Sequence, residues 1–229
     1  MRIYRDYKEA VSEVKRDLVE MGIRVHPKTY QDKVVEHDQG FETRELQNYI
    51  YTVTHPRPED LQPTQPYCWQ EWEERVQGIV GRPINPGVAW ESRAEVWEQF
   101  LQKDKKFAYT YAERFAKNKQ VERVVERIEE DRDSRQLFIS VWDIDDITKL
   151  GGISRVPCTL GYLVQVRKGE LNLTYLQRSC DFVTHFVNDV FFATCLQIYL
   201  SMSTDILSGT FTHWIGSLHV FMKDAKEVF

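Results

Sequence analysis

The stretch from Cys158 to Asp181 constrains the chain more than any other, because apolar and polar side chains alternate on both sides of Lys168-Gly169. Val164 and Val166 lead into this pair, and Leu171, Leu173 and Tyr175 leave it, separated by Asn172 and Thr174. Period-two alternation about a Gly-containing turn predicts a β-hairpin. With Lys168 and Gly169 as the loop, Arg167 faces Glu170 as an opposite-charge cross-strand pair. Counted outward in an unbroken register, Cys158 falls opposite Ser179 and beside Arg178. One end of the sheet then gathers a thiol, a guanidinium, a hydroxyl and the carboxylate of Asp181. A guanidinium beside a thiol favours the nucleophilic thiolate. A structural cysteine near a surface arginine fits the same pattern, and a bulge would shift the register.

At 229 residues, 42% of them hydrophobic and 13% aromatic, the chain can build one sizeable core. A net charge of −5 argues against broad nucleic-acid or membrane-surface binding, so an anionic ligand needs a local basic pocket. No apolar run approaches the ~20 residues of a membrane span. The first residues, Met-Arg-Ile-Tyr-Arg-Asp, include no apolar signal region. Cysteines at 68, 158, 180 and 195 lack metal-ligand spacing. A reduced, cytoplasmic protein is the expectation.

Tyr7, Val11, Val14, Leu18 and Met21 recur at helical spacing and predict a helix over 5–21 that stops at Gly22. Residues 42–53 read as a strand closed by His55-Pro56, and 54–66 as a proline-rich loop. A short helix is predicted over 67–76, and another over 88–101 with Val88, Glu91, Glu95 and Gln99 along one face. The charged helix over 119–130 reads as a solvated face. A strand over 136–142 follows, then a loop with Asp143, Asp145, Asp146 and Gly151-Gly152. Spaced loop acids without histidine point to solvation rather than a metal. Trp69, Trp72, Trp90 and Trp97 read as core or interface aromatics. From Phe182 to Leu200 the apolar spacing is helical and nearly uncharged, so that helix is buried. Its one acid, Asp189, then needs a partner or a shifted pKa.

Several of these residues fall into a familiar order. Pro157-Cys158, the run Gln177-Arg178-Ser179-Cys180-Asp181, and Asp133-Ser134-Arg135 ahead of the 137–142 strand resemble the core of thymidylate synthase and the pyrimidine-nucleotide hydroxymethylases. Gly216-Ser-Leu-His219-Val-Phe221 resembles that family's later strand, which ends in a His-x-Tyr pair. The resemblance spans about residues 105–222 well and 41–104 loosely. It implies an α/β (α+β) thymidylate synthase-like fold: a mixed sheet packed by helices, with a sheet-mediated homodimer interface. Residues 1–229 then form a single domain in which 1–40 are an N-terminal helical embellishment.

The resemblance also implies roles. C5 of a pyrimidine is a poor nucleophile; a thiolate adding at C6 turns the ring into an enamine that can attack a one-carbon donor. Cys158 matches that nucleophile. Arg178 and Ser179 match phosphate ligands, as the guanidinium–phosphate fit favours, and Arg135 matches an arginine given across the dimer. Gln136 stands where a second arginine often follows. Arg44 is a further candidate for substrate binding. Asp181 matches the residue that meets the pterin of the folate donor, 5,10-methylenetetrahydrofolate. Tyr111 resembles the active-site tyrosine, with a core aromatic as the other reading. Glu91, or Glu95, is the candidate to activate water.

Two departures set the expected reaction. The family's base-reading asparagine falls on Asp189, unless a one-residue shift puts Asn188 there. A carboxylate only accepts hydrogen bonds, which suits the cytosine amine and opposes the uracil O4. Phe221 replaces the tyrosine that helps His219 hold the sugar 3′-hydroxyl, which leaves ribose and deoxyribose both open. The sequence also stops ten residues after His219, where synthases continue into a segment that closes over the folate; an open site admits water. The expectation is C5 hydroxymethylation of CMP or dCMP. Methylation of dUMP is the alternative, and a non-catalytic nucleotide-binding relative the third.

Overall fold

The predicted hairpin is present, and the sheet is built around it. The computed structural model describes residues 2–30, 33–150 and 155–228; the Gly151-Gly152 pair lies outside them. Strand β7 (Thr159–Arg167) turns into β8 (Glu170–Asp181) with Arg167 facing Glu170. Lys168 (φ 55°) and Gly169 (φ 78°) both take the left-handed conformation that a type I′ turn requires. The expected register holds from the turn to Gly161 and then slips by one residue. At the slip the Leu160 carbonyl accepts from both Val141 (3.0 Å) and Trp142 (3.3 Å). This bulge puts Cys158, not opposite Ser179 as an unbroken count requires, but opposite Arg178, whose N–H donates to the Cys158 carbonyl at 2.8 Å.

Among the described residues the main sheet runs β1-β5-β9-β8-β7-β6, with β2 also on β5. Here β1 is Arg2–Tyr4, β2 Ile23–Val25, β5 Thr43–Val53, β6 Phe138–Ser140 and β9 Leu207–Phe221. A separate pair joins β3 (Thr29–Tyr30) to β4 (Lys33–Val34). The sheet is mixed: β8 and β9 are parallel, whereas β5–β9 and β7–β8 are antiparallel. Parallel neighbours need a crossover, and helix α6 (Val187–Thr204) supplies it. Its Val190, Phe191, Leu196 and Leu200 are all buried, each contributing roughly 1.5–3 kcal/mol.

Helix α1 (Tyr7–Met21) starts where Asp6 accepts from the Glu9 N–H at 3.0 Å, a cap that contributes about 1 kcal/mol. Its Tyr7, Val14 and Leu18 enter the same core as β8 and β9. The first forty residues are thus more than a helical addition, because β1 and β2 pair with β5. Helix α2 (Tyr67–Ile79) packs on α4 (Tyr111–Ala116) at Gly78, where any Cβ would collide with the Ala112 carbonyl. The continuous helix expected over 88–101 is broken into 3₁₀ turns at Ala89–Arg93 and Glu98–Phe100 around a short α3 (Ala94–Trp97). Arg93, drawn in to donate to the Thr184 carbonyl at 2.8 Å, takes the non-helical φ −147° that interrupts it. Helix α5 (Gln120–Glu130) is solvated on one face only, since Val121, Val124 and Ile128 are buried. The loop acids are not simply solvated either: Asp146 is buried and pairs with Arg114 at 2.8 Å.

Candidate active site

The C-terminal ends of β8 and β9 lie side by side, with Asp181 opposite His219. Above them opens a cavity of about 1120 Å³, counting its mouth, floored by α6 and walled by α2 and the 89–111 segment. Cys158, Ser179, Asp181, Asp189, His219 and Tyr111 all line it. Arg178 stands behind the thiol. Its Nη2 lies 3.9 Å from Cys158 Sγ, while Nε and Nη2 donate to the carbonyls of Pro157 (2.9 Å) and Val156 (3.1 Å). Four expected residues are elsewhere. Glu91 is exposed and outside the lining, as is Glu95. Arg44 donates to the Val19 and Gly22 carbonyls at the end of α1. Arg135 is exposed and does not reach its own chain's cavity.

Burial pushes the Cys158 thiol above its ordinary range, with Arg178 and then Arg155 pulling it back and Asp189 and Asp181 pushing it up. The expected thiolate bias of Arg178 is present, but desolvation outweighs it. Burial holds His219 below the usual histidine range, so it is neutral near pH 7. Asp181 Oδ1 accepts from the N–H groups of Val183 (3.1 Å) and Thr184 (3.3 Å), capping the π turn at Phe182–Phe186.

The two neighbours at 188 and 189 both line the cavity, but their side chains are held by different partners. Asn188 is buried and tied to the 54–66 loop: Oδ1 accepts from the Thr64 N–H (2.9 Å) and Nδ2 donates to Thr64 Oγ1 (3.2 Å). Asp189 faces the cavity, and its Oδ2 accepts from Gln177 Nε2 at 2.6 Å. Burial pushes Asp189 up to about 6, against the pull of Gln177, Arg75 and Arg93.

Some lining residues escaped the sequence reading. Glu71 on α2 reaches the cavity, and its Oε1 accepts from Arg75 Nε at 2.9 Å. The Arg75 guanidinium is held between the rings of Tyr111 (4.1 Å) and Phe192 (3.9 Å). An acid and a base four apart on a helix otherwise rich in aromatics were the available signal. Tyr109 lines the cavity as well, with Arg155 and Cys158 among the charges acting on it. Tyr30, brought from the N-terminal segment, meets Phe221 edge-on at 5.3 Å. Trp90 Nε1, Trp97 Nε1, Arg93 Nη1 and Arg155 Nε are buried without a hydrogen-bond partner among the described residues. All four residues line the cavity, which therefore holds buried donors with no acceptor among the described residues.

A thiol, a histidine and carboxylates thus meet in one cavity, with Arg75, Arg93 and Arg155 also in its lining. The sequence pattern of the thymidylate synthase family matches residues 41–228. The chain therefore belongs to that family of folate-dependent one-carbon transferases. Similar proteins from Methanothermobacter marburgensis (27% identity, 85% of this chain and 86% of that one) and Methanocaldococcus jannaschii (25%, 86% and 84%) both carry the name "Putative thymidylate synthase". The fold is shared with the thermostable thymidylate synthase A of Bacillus subtilis, at TM-score 0.72 and 18% identity over 97% of this chain and 82% of that one.

Proposed function

We propose that the chain is a homodimeric hydroxymethylase that converts a cytidine monophosphate, CMP or dCMP, to its 5-hydroxymethyl derivative. The observation that carries this reading is Asp189: a carboxylate at the cavity floor accepts from the cytosine amine and repels the uracil O4. Asn188, the residue that would read uracil, has its amide occupied by Thr64.

The unpartnered donors of Trp90, Trp97, Arg93 and Arg155 fit a flat, acceptor-rich folate, and Asp181 would hold its pterin. When bound, 5,10-methylenetetrahydrofolate supplies a carbon at the oxidation level of formaldehyde. Cys158 Sγ would add to C6 of the base and leave from it at the end, so the enzyme is regenerated. Arg178 draws the thiol toward thiolate, and Ser179 with Arg178 and Arg155 would meet the phosphate. His219 is suited to a sugar hydroxyl, with Tyr30 beside Phe221 offering the phenol that the strand lacks. Glu71, paired with Arg75 at the cavity wall, replaces Glu91 as the base that would activate water. Overall, C5 would give up its proton and gain the one-carbon unit, water would supply that unit's hydroxyl, and both released protons would leave on tetrahydrofolate, with no redox change.

The dimer reading rests on one sheet face. Ile50, Trp214 and Leu176 are cross-strand neighbours there, and Leu163 pairs with the half-exposed Phe138. Such a stripe suits a second copy of the chain, which would bring Arg135 to the partner's phosphate site.

Incubating the protein with CMP, dCMP and dUMP plus 5,10-methylenetetrahydrofolate, and reading product masses, tests this directly. A 5-hydroxymethyl cytidylate is expected. The second reading, dUMP methylation, is favoured by the relatives' names; a methylated uridylate accompanied by dihydrofolate would replace the first.

A further inference from the structure

Behind Asp189 a line of buried side chains runs through the sheet. Gln177 Nε2 donates to Asp189 Oδ2 (2.6 Å), and Gln177 Oε1 lies 3.0 Å from His213 Nε2. His213 Nδ1 lies 3.1 Å from the Tyr51 hydroxyl. Gln177, His213 and Tyr51 are wholly buried on three different strands. The His213 ring is clamped flat against Tyr175, centroids 4.5 Å apart at 14°.

The polarity of this line is determined by chemistry. Burial drops His213 to about 3, so the ring is neutral, with one donor and one acceptor nitrogen. Gln177 turns its amine to Asp189, so its oxygen faces His213, and His213 Nε2 must carry the proton. Nδ1 is then the acceptor, and the Tyr51 hydroxyl donates to it. Every hydrogen bond in the chain therefore points toward Asp189. Running the line backward would turn the Gln177 oxygen to Asp189, which only a protonated carboxyl could satisfy.

We infer that Tyr51 and His213 are specificity-determining positioning residues: they lock the Gln177 amide so that Asp189 remains a hydrogen-bond acceptor, and thereby fix the choice of cytosine. The inference rests on Asp189 reading the base, as proposed above. Neither residue touches substrate; both act through Gln177.

His213→Phe keeps the aromatic clamp and removes the polar edge, while Tyr51→Phe removes a single oxygen. The assay is kcat/KM for cytidylate and dUMP with 5,10-methylenetetrahydrofolate, followed from about pH 5 to 9. His213→Phe should lower the cytidylate-to-uridylate ratio by about 10–100-fold and move the acidic limb of the cytidylate profile to higher pH. Tyr51→Phe should do the same more weakly, and His213→Gln, which restores a donor, should recover part of the ratio. The limb is assigned against the other groups facing Asp189: Arg75 with its partner Glu71, Arg93, and Asp181. An unchanged ratio and limb in Tyr51→Phe and in a folded His213→Phe would overturn the inference while leaving base reading by Asp189 intact. A wild type that prefers dUMP would instead overturn the base reading. The relay is then judged on carboxyl-carbon NMR of Asp189, whose titration should move upward in Tyr51→Phe and, if it does not, refutes the relay as well.

Discussion

Replacing Asp189 by asparagine should change how stability depends on pH, and the structure sets the amount. Burial raises the carboxyl from 3.8 to about 6. At about 1.4 kcal/mol per unit, keeping it ionised costs about 3 kcal/mol. Its cavity-facing position admits screening and lowers that to about 2 kcal/mol. The folded pKa exceeds the unfolded one, so the fold prefers the protonated form. That contribution is whole below about pH 4 and is lost as pH rises through about 6. Asparagine has no such titration. Asp189→Asn should therefore melt above the wild type near pH 7.5, and the gap should narrow near pH 4.5 by about 1–1.5 kcal/mol, or about 3–5 °C at this chain length. Paired thermal melts by circular dichroism across this range provide the measurement. A gap between the two proteins that stays constant with pH would refute a buried, ionising Asp189.

Other outcomes follow from the same geometry. Cys158→Ala should abolish turnover while nucleotide binding by calorimetry and the melting curve survive; retained turnover would end the covalent mechanism. Glu71→Gln should lower kcat by roughly 10²–10⁴-fold, whereas Glu91→Gln, on the exposed turn, should leave it within twofold. Alkylation of Cys158 by iodoacetamide, located by mass spectrometry, should accelerate only above the ordinary thiol range, and Arg178→Ala should push that midpoint higher. Trp214→Glu should yield monomers in sedimentation, and Arg135→Ala should weaken nucleotide binding by about 1.5–3 kcal/mol while dimers persist.

The parts of the fold legible in the sequence were those set by local periodicity. The hairpin turn, α1, β5 and the buried α6 all follow from apolar spacing within a few residues of one another. The misplacements were tertiary. The slip at Leu160 lies where Val141 and Trp142, just past the end of β6, share one carbonyl, and nothing in the hairpin's own residues records it. The break in 88–101 comes from Arg93 reaching Thr184, 91 residues away. Glu71 is hidden for the same reason, because a helix over 67–76 shows its aromatics in the sequence but not which of its faces borders the cavity. Asp189 was found because a lone acid on an apolar helix is conspicuous even in one dimension. His213 and Tyr51 gave no such sign, each lying in a strand where aromatics are ordinary.

The pairing of β1 and β2 with β5 also governs what can be removed from this protein. β1 covers Tyr51–Val53 and β2 covers Thr43–Glu45, so both ends of an eleven-residue strand are shielded. Trimming the chain to the family-matched 41–228 would uncover that edge together with the apolar surface beneath α1. An unprotected, regular strand edge is a template for other chains. The shortened protein should accordingly be lost to aggregation before its catalysis could be assayed.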